Sequence, residues 1–161
     1  MEKVSLTIDN QNIEVDKGTT ILEAAKEVGI DVPYLCYHPD LTRHGACRVC
    51  VVEDVENNSL VASCVTPVSE GMEISTTSMK ARRARRRNVV LLLANHPNDC
   101  LGCDRNGYCE LQDITHNLGI TREDVEEVAG EVREVERDEV GPALKRDPNK
   151  CILCGRCVRV C

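Results

Sequence analysis

The sequence predicts an α+β fold, in which a mostly-β domain comes first and small helical, cysteine-rich segments follow. Three observations support this prediction. Apolar and polar residues alternate through much of residues 1–77, as they do in half-buried strands. Two later stretches, 78–95 and 110–118, have the composition of helices. Eleven cysteines fall into three ordered groups, with none outside them.

The first predicted domain, residues 1–77, begins with a β-hairpin and a helix. Apolar residues alternate with polar ones on both sides of a turn at residues 9–12; they are Val4, Leu6, Ile8, Ile13 and Val15. Thr20 and Glu23 have the spacing of a capping box, and Gly29 is placed to end the helix that they begin. Further strands are expected at 49–54, 60–64 and 72–76. Together these elements predict a β-grasp sheet, like that of plant-type ferredoxins.

Residues 78–118 are predicted to form a small helical segment, and residues 119–148 an acidic connector. The helix at 78–95 begins with a basic run and ends with an apolar one. The basic run is expected to be a solvated face, or else to dock onto an acidic patch of this chain or of a partner. The connector is expected to be solvated, with short strands. The last segment, 149–161, is the start of a third domain.

Composition excludes several classes of function. The net charge is −7, Phe and Trp are absent and only three Tyr are present, which argues against a nucleic-acid binder. No run of 18 apolar residues occurs, and the N-terminus lacks the pattern of a signal peptide. The sequence therefore predicts a cytoplasmic protein.

The cysteines have three possible chemistries. An odd number of eleven cysteines, together with C-x2-C pairs in each group, argues against disulfides. Zinc is the stronger rival, which would make the chain a zinc-binding structural or interaction module. Zinc ribbons pair two C-x2-C steps across a loop, whereas each group here contains only a single C-x2-C step or a C-x2-C-x2-C triple. A C-x2-C-x2-C triple fits an iron–sulfur cubane more readily than one tetrahedral ion, so we favour iron–sulfur clusters.

The first group has the four thiols that a 2Fe–2S cluster needs. They are spaced C-x10-C-x2-C-x13-C and are Cys36, Cys47, Cys50 and Cys64. The C-x10-C opening departs from the C-x4-C of plant-type ferredoxins, so the loop geometry is expected to differ. His38 and His44 lie in this loop, but four cysteines are already present. Both histidines are therefore expected beside the ligands or on the surface.

The second group supplies three cysteines, Cys100, Cys103 and Cys109, which leave a 4Fe–4S cluster one ligand short. His96 stands four residues before Cys100 and can fill that position. A neutral imidazole in place of a thiolate removes one negative charge and is expected to raise the reduction potential. His116 is the alternative candidate, but it falls in a predicted helix that faces away.

The third group reads C-x2-C-x2-C-x3-C, the run found in bacterial ferredoxins. Cys151, Cys154 and Cys157 are expected to bind one 4Fe–4S cluster whose fourth ligand is missing from the chain. Cys161 is expected to serve a further cluster. The chain therefore looks like a truncated fragment, and the sequence leaves open whether this cluster assembles in it.

The flanks of the three groups resemble the N-terminal iron–sulfur region of a set of oxidoreductases. This region is shared by NAD(P)-linked iron-only hydrogenases, the large iron–sulfur subunit of NADH dehydrogenase (complex I) and NAD-linked formate dehydrogenase α subunits. The matching stretches read YLCYHP at 34–39, GACRVC at 45–50, HPNDCLGC at 96–103, YCELQ at 108–112 and DPNKCILCGRC at 147–157.

The resemblance implies the same cluster ligands in each group and a place in a larger assembly. A flavin-bearing, NADH-oxidising subunit and a small 2Fe–2S subunit are the expected partners, with possible peripheral membrane association through the complex. The clusters are expected to relay single electrons between that flavin and a remote catalytic site. No substrate-converting site is expected in this chain, because it has no nucleophilic triad or phosphate-binding glycine loop.

Overall fold

The computed structural model describes residues 2–130, 134–139, 141–142 and 145–161. Parts of the predicted acidic connector, among them Glu131, lie outside the described residues. The chain divides into two compact units. The first unit contains the residues up to 85 together with 155–161, and the second unit contains residues 86–154.

The first unit is built on a mixed five-stranded sheet. Its strands are β1 (Lys3–Ile8), β2 (Gln11–Asp16), β3 (Val51–Asp54), β4 (Ser59–Ala62) and β5 (Glu73–Ser75). Their order across the sheet is β2-β1-β5-β3-β4. The β1–β5 pair is parallel, and the other pairs are antiparallel. The predicted hairpin and the three further strands are confirmed, although β3 and β4 stop short of the cysteines that were expected inside them.

Helix α1 (Ile21–Glu27) supplies apolar side chains to the core of the first unit. Ile21 and Leu22 are fully buried, as are Ile8 and Ile74 of the sheet. The predicted capping box is present: the Thr20 hydroxyl accepts a hydrogen bond from the N–H of the third helical residue, whose carboxylate accepts one from the Thr20 N–H. The start of α1 therefore follows from a local pattern in the sequence.

Helix α2 (Met79–Ala94) carries the basic run, and that run is not a uniformly solvated face. In the first unit, Lys80 forms an ion pair with Glu53 at 3.0 Å. In the second unit, Arg86 forms an ion pair with Asp124 at 2.5 Å and also donates to two backbone carbonyls. The expectation of a solvated face therefore holds only for part of the run, which includes Arg83.

The second unit contains two more helices, α3 (Glu110–Asn117) and α4 (Arg122–Glu126). Helix α3 was expected, but α4 lies where the sequence analysis expected only short strands. The physical reason is a second capping box, in which Thr121 and Asp124 exchange hydrogen bonds at the start of α4. The acidic composition of this stretch concealed that signal. Beyond α4, an isolated bridge pairs Asp138 with Arg146.

The last described segment contains a 3-10 turn, Pro148–Lys150, and helix α5 (Arg156–Val160). Helix α5 lies in the first unit and bonds to backbone carbonyls there. Arg156 donates to the carbonyl of Tyr37 at 3.0 Å, and Arg159 donates to the carbonyls of Cys36 and Thr42. No helix within the described ranges is long and apolar enough to cross a membrane.

Candidate functional site

The four cysteines of the first group lie together in the first unit. Cys36, Cys50 and Cys64 are buried, and Cys47 is half-buried. The Sγ atoms of Cys36 and Cys47 are 3.4 Å apart. The Cys64 side chain forms hydrogen bonds with those of both Cys36 and Cys50. A loop and the ends of two strands thus bring four sulfur atoms, which are widely spaced in sequence, into one cluster.

These four thiols divide into two that favour the thiolate and two that keep a proton. A hydrogen bond from the Cys47 thiol lowers the pKa of Cys36, and one from the Cys64 thiol lowers the pKa of Cys50 to about 6. Hydrogen bonds to Cys36 raise the pKa values of the two donors, Cys47 and Cys64. Because metals bind thiolates, a site in which two of the four sulfurs already favour the thiolate is chemically suited to a cluster of metal ions, whose binding releases protons.

Backbone amides surround these sulfur atoms. The N–H groups of Ala46 and Cys47 donate to the sulfur of Cys36. Gly45 makes this approach possible: its φ is +64°, and a Cβ there would come within 3.1 Å of the Val65 side chain. Hydrogen bonds to cluster sulfurs are one of the means by which proteins set a cluster's potential.

Glu23 connects helix α1 to the cysteine loop, a role that the sequence analysis missed. Its carboxylate accepts hydrogen bonds from Thr20, from the Tyr37 hydroxyl at 3.1 Å and from Arg43 at 2.9 Å. Burial raises the pKa of Tyr37 to about 12, with a further contribution from the Glu23 charge. The capping box identified Glu23, but no local pattern indicates that its carboxylate also bonds to Tyr37 and Arg43, which lie 14 and 20 positions further along the chain.

The two histidines of this loop are both exposed. His38 is paired with neighbouring Asp40, at 3.8 Å between Nδ1 and the carboxylate. The ring of His44 lies beside Gly155, where an added Cβ would be 3.6 Å from Nε2. Both residues are therefore on the surface, one of the two placements that the sequence analysis expected.

The second group lies in the second unit, around an open pocket of about 1310 Å³. His96, Cys100 and Cys109 all line this pocket, whereas Cys103 does not. The Cys103 N–H donates to the Cys100 carbonyl at 3.2 Å, so these two residues belong to one tight turn. The structure thus places three of the four expected ligands around one pocket and the fourth in a turn that begins at Cys100.

The surroundings of His96 favour the protonation state that a metal ligand requires. Burial lowers its pKa, which favours the neutral imidazole. Its Nδ1 atom accepts a hydrogen bond from the Asn98 N–H at 3.3 Å, which orients the ring. His116, the alternative candidate, is exposed on α3 and does not line the pocket. The geometry therefore favours His96 over His116.

The third group is divided between the two units. Cys151 and Cys154 lie in the second unit, and Cys157 and Cys161 lie in the first. Cys154 is half-buried, and the other three are exposed. Within the described ranges, no three or more His, Cys, Asp and Glu side chains are arranged to hold a single metal ion.

Models of known families match three stretches of the chain, in the order of the cysteine groups. Residues 1–79 match a 2Fe-2S iron-sulfur cluster binding domain. Residues 85–124 match the NADH-ubiquinone oxidoreductase-G iron-sulfur binding region, and residues 144–161 match a 4Fe-4S binding domain. The chain is thus a small mixed α/β protein whose segments match 2Fe-2S and 4Fe-4S binding domains.

Individual relatives match nearly the whole chain. It is 39% identical over 159 residues to the mitochondrial NADH-ubiquinone oxidoreductase 78 kDa subunit of Candida albicans, covering 99% of this chain and 22% of that subunit. It is 43% identical over 157 residues to the NADPH-Fe(3+) oxidoreductase subunit alpha of Geobacter sulfurreducens, covering 98% of this chain and 18% of that subunit. A chain in a crystal structure of NAD+-reducing NiFe-hydrogenase in the H2-reduced state superimposes on this chain with a TM-score of 0.88 and 37% sequence identity. The match covers 97% of this chain and 64% of that chain.

The resemblance predicted from the cysteine motifs is therefore confirmed. Over nearly its full length the chain is similar to the iron–sulfur region of NADH- and NADPH-linked oxidoreductase subunits. It spans about a fifth of the length of these two curated relatives, at 22% and 18%.

Proposed function

We propose that the chain is an electron-relay module of an NAD(P)H-linked multisubunit oxidoreductase. It would pass single electrons between a flavin-bearing, NADH-oxidising subunit and a remote catalytic site, and a small 2Fe–2S subunit would be a second partner. The observation that carries this proposal is the meeting of four widely spaced thiols in the first unit. In this proposal the chain itself converts no substrate, and it works in the cytoplasm.

The first unit is proposed to be a β-grasp domain that holds one 2Fe–2S cluster. A hairpin, a helix packed on the sheet and a parallel β1–β5 pair support this fold. Its ligands would be Cys36, Cys47, Cys50 and Cys64. Such a cluster takes two protein ligands on each iron, so its site differs from one built for a single ion. The amide groups around Cys36 fit a cluster whose sulfur atoms accept hydrogen bonds.

The second unit is proposed to hold one 4Fe–4S cluster through His96, Cys100, Cys103 and Cys109. Three of these four residues, all but Cys103, line one pocket, and burial lowers the pKa of His96; both observations support this ligand set. Cys151, Cys154 and Cys157 are proposed to hold a further 4Fe–4S cluster with a fourth ligand from outside the chain. Cys161 is proposed to serve another cluster. Once bound, the clusters would supply one-electron chemistry, while the chain sets their burial and hydrogen bonding.

The test is anaerobic reconstitution of the chain, followed by iron and sulfide analysis and low-temperature EPR of the dithionite-reduced protein. One 2Fe–2S and one 4Fe–4S cluster give about six irons per chain and two distinct signals. A content of about ten irons means that the third group also assembles its cluster. Stoichiometric zinc without sulfide or EPR signals would instead establish a structural zinc module and overturn the proposal.

Two variants serve as each other's controls in this test. Cys64→Ser is expected to lose about two irons and the 2Fe–2S signal while the second signal remains. Cys100→Ser is expected to lose about four irons and the 4Fe–4S signal while the first remains. Loss of both signals in either variant would contradict independent clusters in the two units.

A further inference from the structure

Arg85 differs from the other basic residues of helix α2, because its guanidinium is buried. Only 6% of the residue is exposed. Its Nε donates to the carbonyl of Val51 at 2.8 Å, and Val51 directly follows Cys50. Its Nη2 is buried and has no hydrogen-bond partner among the described residues. A cation is thus fixed beside the strand that begins directly after Cys50, the third cysteine of the first group.

The burial of this cation is costly unless something nearby favours it. Arginine stays protonated in proteins, so a buried Arg85 carries its charge inside the first unit. The charged groups that act on it are Cys50, Asp9, Arg82 and Asp31. The Asp9 carboxylate is already bonded to the N–H and hydroxyl of Thr76. Buried charges are normally compensated by a partner of opposite sign, and the described residues leave Arg85 only partly compensated.

A four-thiolate 2Fe–2S cluster at the first cysteine group would supply negative charge near this cation. Adding one electron to a four-thiolate 2Fe–2S cluster makes it more negative, and a fixed cation nearby stabilises that state relative to the oxidised one. The geometry offers a route for this effect, because Arg85 is bonded to the carbonyl of Val51, the residue that follows Cys50. The low dielectric of a buried site strengthens the interaction.

We propose that Arg85 is a positioning residue whose buried positive charge raises the reduction potential of the 2Fe–2S centre. This inference rests on the proposed function, since it requires a cluster at the first cysteine group. The proposal requires no contact between Arg85 and a ligand sulfur. It acts through its charge and through its hydrogen bond to the Val51 carbonyl, which holds the guanidinium in place.

The test is an EPR-monitored redox titration of the full chain with reconstituted clusters, with dithionite as the electron donor and soluble mediators. The neutral variant is Arg85→Gln, whose amide can still donate to the Val51 carbonyl. We expect the equilibrium constant for reduction to fall on the order of tenfold, a midpoint potential lower by about 59 mV. Arg85→Lys keeps the charge and is expected to stay within error of wild type.

Arg83→Gln is the matched control, because Arg83 is exposed on the same helix. It is expected to leave the potential unchanged. Thermal unfolding and iron content of every variant separate an electrostatic effect from a structural one. A purely structural Arg85 would lower stability in the Gln and Lys variants alike while the potential stayed constant.

Two results would overturn the inference while leaving the proposed function intact. One is a wild-type potential in an Arg85→Gln protein that holds its 2Fe–2S cluster, and the other is an equal shift in Arg85→Gln and Arg85→Lys. If Arg85→Gln fails to assemble, Arg85→Met replaces it, since its uncharged side chain is of similar length and brings no polar atom that needs a donor or acceptor of its own. Absence of a 2Fe–2S signal from the wild-type chain is a different result, which overturns the proposed function itself.

Discussion

Glu23 shows how one side chain can serve a helix and a binding loop together. Burial raises the pKa of Glu23, but hydrogen bonds from Thr20 and Tyr37 and the Arg43 charge outweigh it and leave the pKa below its usual 4.5. A carboxylate with a lowered pKa stabilises the fold above its unfolded-state pKa. That contribution is lost as the pH falls through the folded-state pKa.

We therefore expect Glu23→Gln to destabilise the chain by about 1–2 kcal/mol at pH 7, since it weakens charge-assisted hydrogen bonds. Urea unfolding measures the change. Glu27→Gln, at an exposed position of the same helix, is the control and is expected to change little. The difference between wild type and Glu23→Gln should shrink below about pH 4.5. A difference that stays constant down to pH 3 would contradict a role for the ionised carboxylate.

His96 and His116 provide a second comparison at the residue scale. Only His96 lines the pocket with Cys100 and Cys109. We expect His96→Ala to lose about four irons per chain, or to hold them only transiently, because a ligand is removed. His116→Ala is expected to retain the iron content and EPR spectrum of the wild type. A wild-type iron content in both variants would exclude His96 as a ligand.

At the scale of elements, helix α5 is anchored mainly by arginine side chains. The helix has only five residues and no buried side chain, so it has little intrinsic stability. Arg159 donates to the carbonyls of Cys36 and Thr42, and thereby joins α5 to the loop of the first cysteine group. The last described helix of the chain is therefore held by a part of the fold that is distant in sequence.

We expect Arg159→Ala to release α5 at a cost of about 1–3 kcal/mol, the usual range for a hydrogen bond to a charged group. Hydrogen exchange measured by mass spectrometry should show faster exchange in residues 156–160 and in the loop after Cys36. Val158→Ala, which alters an exposed position of the same helix, is the control. If exchange were unchanged in Arg159→Ala, these hydrogen bonds would not be what holds α5.

The sequence allows some elements to be predicted and hides others, for a physical reason. The hairpin and α1 follow from alternation and a capping box, which are local patterns. Helix α4 has the same kind of box, but its acidic surroundings gave it the composition of a solvated connector. Contacts such as Glu23 with Arg43 and Arg159 with Cys36 depend on the tertiary fold, so no pattern in the sequence indicates them.

The same distinction applies to the candidate site. Cysteine spacing identifies the groups because each cluster requires a fixed number of thiolates within short loops. Spacing does not show that Arg85 is buried, since its neighbours Arg82, Arg83 and Arg87 are exposed on the same helix. The grouping of the cysteines could thus be predicted from the sequence, whereas the buried charge near the first group required the structure.

At the scale of the whole molecule, stability is expected to depend on the clusters. The core contains no Phe or Trp, and binding to preformed thiolates adds to the free energy of folding. We expect cluster-loaded protein to unfold at a higher temperature than apoprotein; a gain of about 3 kcal/mol corresponds to roughly 6–12 °C. Circular dichroism melts measure it, with Cys64→Ser as a partly loaded control. Identical melting curves would show that cluster binding is uncoupled from folding.

The return of residues 155–161 to the first unit also has a consequence for biosynthesis. Arg159 follows Cys36 by 123 residues, and the whole second unit lies between them. At about 5–20 residues per second, a ribosome needs roughly 6–25 s to make that interval. During this time the Cys36 loop exists without the helix that later bonds to it. The carbonyls of Cys36 and Thr42 are therefore without their Arg159 hydrogen bonds until the last part of this chain has been made.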